Sequence, residues 1–365
     1  MKKKIIFIIP DLEIGGAQNV LVYLANNLAE KGFNIEILVF KNFNKKNYNL
    51  FKSIKVKSLS IYGSSKNIFQ KIISNINRLL KLRIEIRRIQ PNIIISFLTT
   101  ANILALISTI GLKRRIIVNE RNDLIKKKLN YSWKILRIIF YRYANRIIIN
   151  LPNARKNFFF TNLNKTIFIP NPNTFNFSKK RIKKEKIILT VARLTHQKNI
   201  EILIKSFSKS IALQKKWKLM IIGEGENKKE LYRLVKELNL FKFVVFKKKI
   251  KKLDTWYKKA SIFVLPSRYE GMPNVIIEAL QCKTVIIGSN IAGIKFFIKN
   301  KSNGILFNNN DENSLVKMIN LLVSNPKLRS KLAQNGINSI NKYIKNNNFL
   351  SIWENQVNKI LKNEK

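Results

Sequence analysis

Short apolar runs and amphipathic segments alternate along this chain, and the alternation restarts once. The first 40 residues read as a strand, a glycine-containing loop, a helix and a strand: KIIFIIP, DLEIGGAQ, NVLVYLANNLAEKG and NIEILVF. After a segment rich in Pro, Asn and Lys at 167–186, the strand KIILTVARL and the helix NIEILIKSFSKSI begin the pattern again. Such repeats build a parallel sheet with helices on both faces. The sequence therefore predicts an α/β protein with two doubly wound domains.

The length of the chain agrees with two domains, because 365 residues exceed what one compact domain usually holds. We expect a first domain at 1–172 and a second at 173–335, each with its own parallel sheet. From 336 to 365 the pattern is helical, and we expect these C-terminal helices to pack back toward the first domain.

Two apolar stretches resemble membrane segments, but both fit buried elements of a fold better. The run that follows the basic start is too short for a signal peptide, and Pro10 and Asp11 close it. Residues 92–112 carry no charge, yet seven Asn, Ser and Thr residues interrupt them, so we predict a buried strand followed by a buried helix. The single cysteine, Cys282, excludes an intramolecular disulfide and suits a reducing compartment.

Basic residues greatly outnumber acidic ones: 70 Lys and Arg stand against 20 Asp and Glu, a formal net charge of +50. One interpretation is a negatively charged partner, such as nucleic acid, anionic lipid or a phosphorylated substrate. The other is an AT-rich genome, whose codons favour Lys, Asn, Ile and Phe. The total charge is compatible with both.

The distribution of charge is more informative than its total. Between Asp123 and Glu185, 61 residues hold 15 Lys and Arg, no acid, and interleaved aromatic residues. Segment 66–88 is predicted to form a basic amphipathic helix. Its apolar face comprises Phe69, Ile72, Ile73, Ile76, Leu79 and Leu80. A buried helix with a solvated basic face and docking on an anionic membrane leaflet are both open interpretations. Nucleic acid is not an expected partner, because no nucleic-acid-binding motif occurs.

Charged and small residues directly follow several predicted strands of the second domain. Arg193 and Lys198 follow ILTVA, and Glu270 follows IFVLP and precedes a helix that carries Glu278. Ligands of doubly wound sheets sit at such carboxyl ends. Arg and Lys neutralise phosphates, a helix beginning near Gly271 offers free N–H groups, and a carboxylate accepts hydrogen bonds from both ribose hydroxyls. Taken singly, each residue is equally typical of a solvated surface; together they predict a nucleoside diphosphate site.

These segments resemble the nucleotide-sugar-binding domain of retaining glycosyltransferases of the GT-B fold, family 4. The resemblance is carried by ARLTHQKN, IIGEGENKKELYRLV, SIFVLPSRYEGMPNVIIEAL and NGILFNNND, with Glu270 and Glu278 as the family's paired glutamates. It extends to the first half through IGGAQNVLVYLANNLAEKGFNIEILVF and ISFLTTANILALI, which is similar to bacterial members that act on lipid-linked glycans. The implied fold is two Rossmann-like domains with a donor cleft between them.

The resemblance implies a role for each matching residue. Arg193 and Lys198 would bind the diphosphate and stabilise the leaving nucleotide, and Glu270 would contact the donor sugar; these three are the expected catalytic residues. The expected donor-binding residues are Gly15, Gly16, Gly223, Gly225, Glu270, Gly271, Asn274 and Glu278. In NERND, Glu120 and Arg121 stand where related enzymes often carry a histidine, and we expect a first-domain acceptor site there.

The expected activity is transfer of a sugar, an N-acetylhexosamine from a UDP donor, with retention, onto a glycan or lipid-diphosphate-linked acceptor in surface polysaccharide or glycan synthesis. No metal and no cofactor are expected, because the chain has no Asp-x-Asp motif and only one histidine, His196. We expect a cytoplasmic protein, peripheral at the inner face of the plasma membrane. The alternative is a non-catalytic basic α/β protein that binds anionic lipid or nucleic acid.

Overall fold

The computed structural model describes residues 2–13, 15–41, 49–60, 68–121, 129–175, 177–178, 180, 182–248, 250 and 252–362, with the backbone alone at 68–72. The chain divides into two units. The first comprises Met1–Thr174 with Asn348–Lys365, and the second comprises Phe175–Asn347.

The first unit alternates strands with helices along most of its length. In chain order its elements are β1 (Lys4–Ile9), α1 (Gly16–Glu30), β2 (Asn34–Val39), β3 (Lys55–Ser58), α2 (Ile68–Ile89), β4 (Ile93–Phe97), α3 (Thr99–Ser108), β5 (Arg115–Glu120), α4 (Tyr131–Phe140), β6 (Arg146–Ile149) and β7 (Thr166–Phe168). Short 3-10 turns lie at Tyr141–Tyr143, Pro152–Phe158 and Leu163–Lys165.

The seven strands of this unit form one parallel sheet in the order β3-β2-β1-β4-β5-β6-β7. Successive side chains of β1 enter opposite cores: Phe7 lies in the cluster with α1, whereas Ile6 and Ile8 lie in the cluster with α2 and α3. Burial on both faces explains why the strands read as nearly unbroken apolar runs. The sheet is thus covered by helices on both sides.

The second unit repeats the same scheme. Its elements are β8 (Glu185–Val191), α5 (Ile200–Lys209), α6 (Ile211–Gln214), β9 (Lys218–Ile222), α7 (Lys228–Glu237), β10 (Val244–Lys247), α8 (Leu253–Lys259), β11 (Ala260–Leu265), α9 (Asn274–Gln281), β12 (Val285–Ser289), α10 (Ala292–Lys295), β13 (Ile305–Phe307), α11 (Glu312–Ser324) and α12 (Pro326–Lys345). A 3-10 turn at His196–Lys198 follows β8. The sheet is parallel, in the order β10-β9-β8-β11-β12-β13.

The C-terminal helices divide between the two units. Helix α12 ends at Lys345 and packs against α9, so the second unit extends to Asn347, where the sequence had suggested a boundary at 335. Helix α13 (Phe349–Lys362) belongs to the first unit instead, and its fully buried Trp353 joins the core cluster of β1 and α1.

The predicted fold class is confirmed: each unit is a Rossmann-like, doubly wound parallel sheet. The uncharged stretch at 92–112 forms β4 and α3, as predicted. Within the described ranges, no helix combines the length and the apolar character needed to span a membrane.

Candidate active site

The strand order of the second sheet locates its ligand-binding edge. The sequence order reverses between the adjacent strands β8 and β11, because the chain winds outward from this point in both directions. In sheets of this kind, ligands bind at the carboxyl ends of the strands beside the reversal. The loops that begin there carry Arg193 and Lys198 after β8, and Glu270 after β11.

Lys198 and Glu270 form an ion pair across this reversal. The Lys198 Nζ contacts Oε1 of Glu270, and the two side chains are only 14% and 8% exposed. The same Oε1 accepts a hydrogen bond of 2.6 Å from the hydroxyl of Ser267, which is fully buried. A shielded pair of this kind is fixed in place, because separating it would leave an uncompensated charge.

Three further contacts join the loops that carry this pair. The Gln197 side chain donates to the Tyr269 carbonyl at 2.9 Å, and the Arg268 amide donates to the Gln197 carbonyl at 2.9 Å. The Arg268 Nε donates to the His196 carbonyl at 3.2 Å. His196 itself is exposed, and its contribution here is through its backbone.

Arg193 lies exposed near the same loops. Burial raises the pKa of Tyr269, the nearby Glu270 carboxylate raises it further, and the positive charge of Arg193 opposes this rise. These couplings indicate that Arg193 and Glu270 both act on Tyr269, so the predicted catalytic residues Arg193, Lys198 and Glu270 lie in one neighbourhood.

Gly223 and Gly225 permit a close approach of two loops. A Cβ atom on Gly223 would lie 1.9 Å from the Ala192 carbonyl oxygen, and one on Gly225 would lie 2.3 Å from that of Leu194. Gly223 also has a φ of +153°, which favours glycine. These glycines were predicted to bind the donor; the geometry also gives them a packing role, since they press the 223–225 loop against the loop of Arg193.

Gly293 plays the same part for the loop of Glu270. A Cβ atom at this position would lie 1.9 Å from the Gly271 carbonyl oxygen and 3.0 Å from the Glu270 Cβ. The loop after β12 therefore supports the backbone of Glu270 and Gly271 directly.

Helix α9 begins at Asn274, with Pro273 at its N-cap, rather than near Gly271 as the sequence suggested. Residues 271–273 instead complete the loop, because proline favours extended backbone in the residue before it. The N-cap residue Pro273 supplies no side-chain cap, and the N-terminal end of the helix directly follows the loop of Glu270. Glu278 then lies four residues into the helix, about one turn from its start.

Glu278 is partly buried, and its Oε2 accepts a hydrogen bond of 2.8 Å from the hydroxyl of Tyr257 on α8. Burial raises the pKa of Glu278 to about 7, because desolvation disfavours the charged carboxylate, and the Tyr257 hydrogen bond partly offsets this rise. Among the described residues, Glu278 forms no hydrogen bond or ion pair with Lys198 or Glu270, although α9 follows directly from the Glu270 loop.

In the first unit, the predicted glycines mark the start of α1. Gly15 is its N-cap with extended backbone, and Gly16 is its first residue. A Cβ atom on Gly16 would meet nothing within 4 Å, whereas one on Gly15 would meet the Gln18 side chain at 2.5 Å. Both follow β1, the strand at which the order of the first sheet reverses.

Glu120 and Arg121 lie at the carboxyl edge of the first sheet, but both are buried. Glu120 accepts hydrogen bonds from the Tyr141 hydroxyl and from the Thr99 hydroxyl at 3.1 Å. Arg121 donates to the Asn171 side chain, and its guanidinium lies 5.7 Å from the centre of the Phe97 ring. This geometry gives both residues structural partners within the first unit.

Sequence reasoning missed three residues that the structure places around the predicted ones: Ser267, Gln197 and Tyr257. Ser267 lies three residues before Glu270, a spacing that suits a loop hydroxyl bonding to a carboxylate, so a signal existed. Tyr257 gave none, because its contact with Glu278 joins separate helices.

Comparison with known proteins agrees with this geometry. Residues 172–339 match the family model described as glycosyl transferases group 1. A Campylobacter jejuni protein named GalNAc-alpha-(1->4)-GalNAc-alpha-(1->3)-diNAcBac-PP-undecaprenol alpha-1,4-N-acetyl-D-galactosaminyltransferase is 30% identical over 91% of this chain and 92% of its own. A second C. jejuni protein is named N-acetylgalactosamine-N,N'-diacetylbacillosaminyl-diphospho-undecaprenol 4-alpha-N-acetylgalactosaminyltransferase. It is 27% identical over 90% of this chain and 92% of its own.

Among solved structures, Anabaena HepE in complex with UDP and glucose superimposes with a TM-score of 0.79, at 14% identity, over 98% of this chain and 100% of that one. The resemblance noted in the sequence is therefore confirmed, and the enzyme interpretation is favoured over a non-catalytic binder. The chain belongs to the group 1 family of glycosyltransferases and has the GT-B fold.

Proposed function

We propose that this glycosyltransferase moves an N-acetylhexosamine from a UDP-sugar to an undecaprenyl-diphosphate-linked glycan, with retention at the anomeric carbon. The observation that carries the proposal is the Lys198–Glu270 pair at the reversal of the second sheet. The names of the two C. jejuni relatives support an N-acetylhexosamine and a lipid-linked acceptor.

The donor diphosphate would be bound by positive groups that the second unit holds at one edge. Lys198 presents an ammonium group and Arg193 a guanidinium, which suits bidentate contact with phosphate oxygens. The uncapped start of α9 adds N–H groups and the positive end of the helix dipole. Together these groups would stabilise the negative charge that develops on the leaving nucleotide.

We propose that transfer requires neither metal nor cofactor, because Arg193, Lys198 and the start of α9 supply the positive charge that a metal would otherwise provide. Glu270, fixed by Lys198 and Ser267, would contact the donor sugar. Glu278 would accept hydrogen bonds from the ribose hydroxyls. Glu120 and Arg121 are proposed to shape the acceptor site through the groups that they hold in place.

An exposed apolar surface on the first unit supports the proposal of a lipid-linked acceptor. Helix α4 has seven apolar or aromatic residues, yet none of its residues is buried. Helix α2 buries Leu82, Ile86 and Ile89, but other apolar residues point outward. The exposed set on the two helices is Ile73, Ile76, Leu80 and Ile84 of α2, and Tyr131, Ile135, Ile138 and Ile139 of α4. We call these eight residues the exposed apolar surface; α3, which contacts both helices, lies between them.

The charge around this surface favours an anionic leaflet. Arg78 and Lys81 of α2 stand among its residues, and the stretch between Asp123 and Glu185 contains no acid. Basic residues near a surface of apolar side chains are typical of peripheral attachment. The proposed location is therefore the inner face of the plasma membrane. Of the predicted helix, Lys66 and the side chains of Phe69, Lys71 and Ile72 lie outside the described residues.

The activity can be tested by offering the purified chain UDP-N-acetylhexosamines with an undecaprenyl-diphosphate-linked N-acetylhexosamine. We expect release of UDP together with an α-linked product, identified by NMR at the anomeric carbon. Release of no nucleotide from any nucleotide sugar, with or without acceptor, would overturn the proposal.

A matched pair of lysine variants tests the site. Lys198→Met should lower kcat/KM by roughly 10- to 100-fold, the range expected for one charge-assisted hydrogen bond to phosphate. Lys205→Met is the control, because Lys205 also forms an ion pair with a glutamate, Glu201, at 2.5 Å on the exposed face of α5. Equal loss in both variants would refute a specific role for Lys198.

A further inference from the structure

A side-chain hydrogen bond joins helices α8 and α9 at the proposed ribose site. The Tyr257 hydroxyl donates to Glu278 Oε2 at 2.8 Å, and Tyr257 is fully buried. The bond leaves the second carboxylate oxygen, Oε1, without a protein donor among the described residues. A carboxylate held by one oxygen has a defined orientation for the other.

Tyr257 cannot easily swing away from Glu278, because its ring and its backbone are both fixed. The ring lies edge-on to Phe175 with centroids 5.8 Å apart, and it packs against Phe263 at 5.5 Å. The Tyr257 carbonyl oxygen accepts hydrogen bonds from the Thr284 hydroxyl at 2.5 Å and from the Lys184 Nζ at 3.2 Å.

Lys184 also ties together the ends of the two helices. Besides the carbonyl of Tyr257 in α8, its Nζ contacts the carbonyl of Cys282 at the end of α9, at 3.2 Å. A third bond reaches the Ala260 carbonyl, at 2.9 Å, where β11 begins. Relative movement of Tyr257 and Glu278 would therefore also break the Lys184 contacts at the C-terminal ends of both helices.

We propose that Tyr257 is a positioning residue of the donor site, which holds one carboxylate oxygen of Glu278 so that the other faces the ribose hydroxyls of a nucleoside diphosphate. The inference rests on the proposed function, because it assumes that Glu278 binds the ribose. Tyr257 does not touch the nucleotide and acts only through Glu278.

The electrostatic surroundings agree with this role. Burial raises the pKa of Glu278 to about 7, and the Tyr257 hydrogen bond lowers it. The titratable groups around the pair are Cys282, which directly follows α9, the Asp254–Lys258 ion pair of α8, with N–O 3.3 Å, and Lys184, which bonds the Tyr257 carbonyl. Burial lowers the pKa of Lys184 to about 8. From α12, Tyr343 faces Met272 rather than Glu278. Loss of the Tyr257 hydroxyl would therefore shift the ionisation of Glu278 to higher pH.

The test is Tyr257→Phe in the full chain, with UDP and GDP binding measured by calorimetry from pH 6 to 9. Phenylalanine keeps the ring contacts and removes only the hydroxyl. We expect the affinity of the variant for the nucleotide to fall about tenfold at pH 7. The midpoint of its pH dependence should move to higher pH, so the difference in affinity from wild type should be smaller at pH 9. Tyr232→Phe is the control, because Tyr232 is 43% exposed and its ring stacks on Phe246 of β10, with ring centroids 4.2 Å apart.

The outcomes separate this inference from the proposed function. If wild type binds UDP or GDP and Tyr257→Phe matches it at every pH, the positioning role is refuted while the donor site stands. If nucleotide affinity falls by the same factor at every pH and the melting temperature is also lower, the Tyr257 hydroxyl only supports the fold. That result also overturns the inference. If wild type binds neither nucleotide at any pH, the proposed function fails and the inference fails with it.

Discussion

Replacing Glu278 by glutamine should stabilise the second unit at alkaline pH while it weakens nucleotide binding. Glutamine has the same shape and can still accept the hydrogen bond from Tyr257, but it cannot ionise. The substitution therefore removes the cost of a partly buried charge and keeps the packing of α8 against α9.

The magnitude follows from the pKa of Glu278, which burial raises from 4.5 to about 7. A difference of this size means that ionising the carboxyl costs about 3 kcal/mol more in the folded chain than in the unfolded one. Between pH 4.5 and 7, the Glu278 carboxyl therefore stays protonated in the folded chain while it ionises in the unfolded chain. The stability that Glu278 contributes is fully present below pH 4.5 and is lost as the pH rises through 7. Because the side chain is partly solvated, we expect the glutamine variant to gain about 2 kcal/mol of unfolding free energy at pH 8.

Calorimetric melting without nucleotide, at pH 5 and pH 8, measures this effect. For a unit of this size, the variant should melt roughly 4–8 °C above wild type at pH 8 and within about 2 °C of it at pH 5. Glu237→Gln is the control, because Glu237 is exposed on α7. UDP affinity should fall about tenfold at pH 8, since the amide replaces an ionised acceptor. A variant that melts at or below wild type at pH 8 would refute the reasoning.

The other predictions concern the metal, the loop support and the membrane. Turnover should survive excess chelator, and strict dependence on Mn²⁺ or Mg²⁺ would show that the cationic groups do not suffice. Gly293→Ala should lower kcat/KM by roughly 100-fold and also lower the melting temperature, because its Cβ would displace the backbone of the Glu270 loop; unchanged kinetics would contradict the close approach. Binding to anionic vesicles should fall with salt, and about tenfold when Arg78 and Lys81 become Gln. Ile76→Ser with Leu80→Ser should weaken it similarly, and equal binding to neutral vesicles would leave codon bias as the better account of the charge.

The fold was predictable because two periodicities in the sequence each have a single structural solution. Unbroken apolar runs alternating with amphipathic segments specify parallel strands covered by helices, and strand ends then specify where the site residues gather. This is why Arg193, Lys198 and Glu270 could be assigned to one edge of one sheet before the structure. Their individual roles, and those of the donor-binding glycines, stay predictions.

Contacts between side chains of distant elements were not predictable. The Lys198–Glu270 ion pair depends on rotamers and loop paths that periodicity does not encode. In α8, the adjacent Trp256 and Tyr257 look equivalent in sequence, yet only Tyr257 is fully buried and reaches Glu278.

The amphipathic helix at 66–88 shows a second limit. Periodicity identified which residues share a face, but not which face would be covered. The core is filled by Leu82 and Ile86 near the end of α2, so Ile73 and Ile76 are left about half exposed.

The return of α13 to the first unit has a consequence for the order in which the chain can fold during synthesis. The fully buried Trp353 belongs to the core around β1 and α1, yet it follows the entire second unit in the sequence. Domains usually fold in the order in which they leave the ribosome. Here most of the first unit would leave the ribosome early, but its core would lack helix α13 until synthesis ends. The second unit could therefore finish folding before the first. A chaperone that shields exposed apolar surface would therefore be needed longest by the part of the protein that is made first.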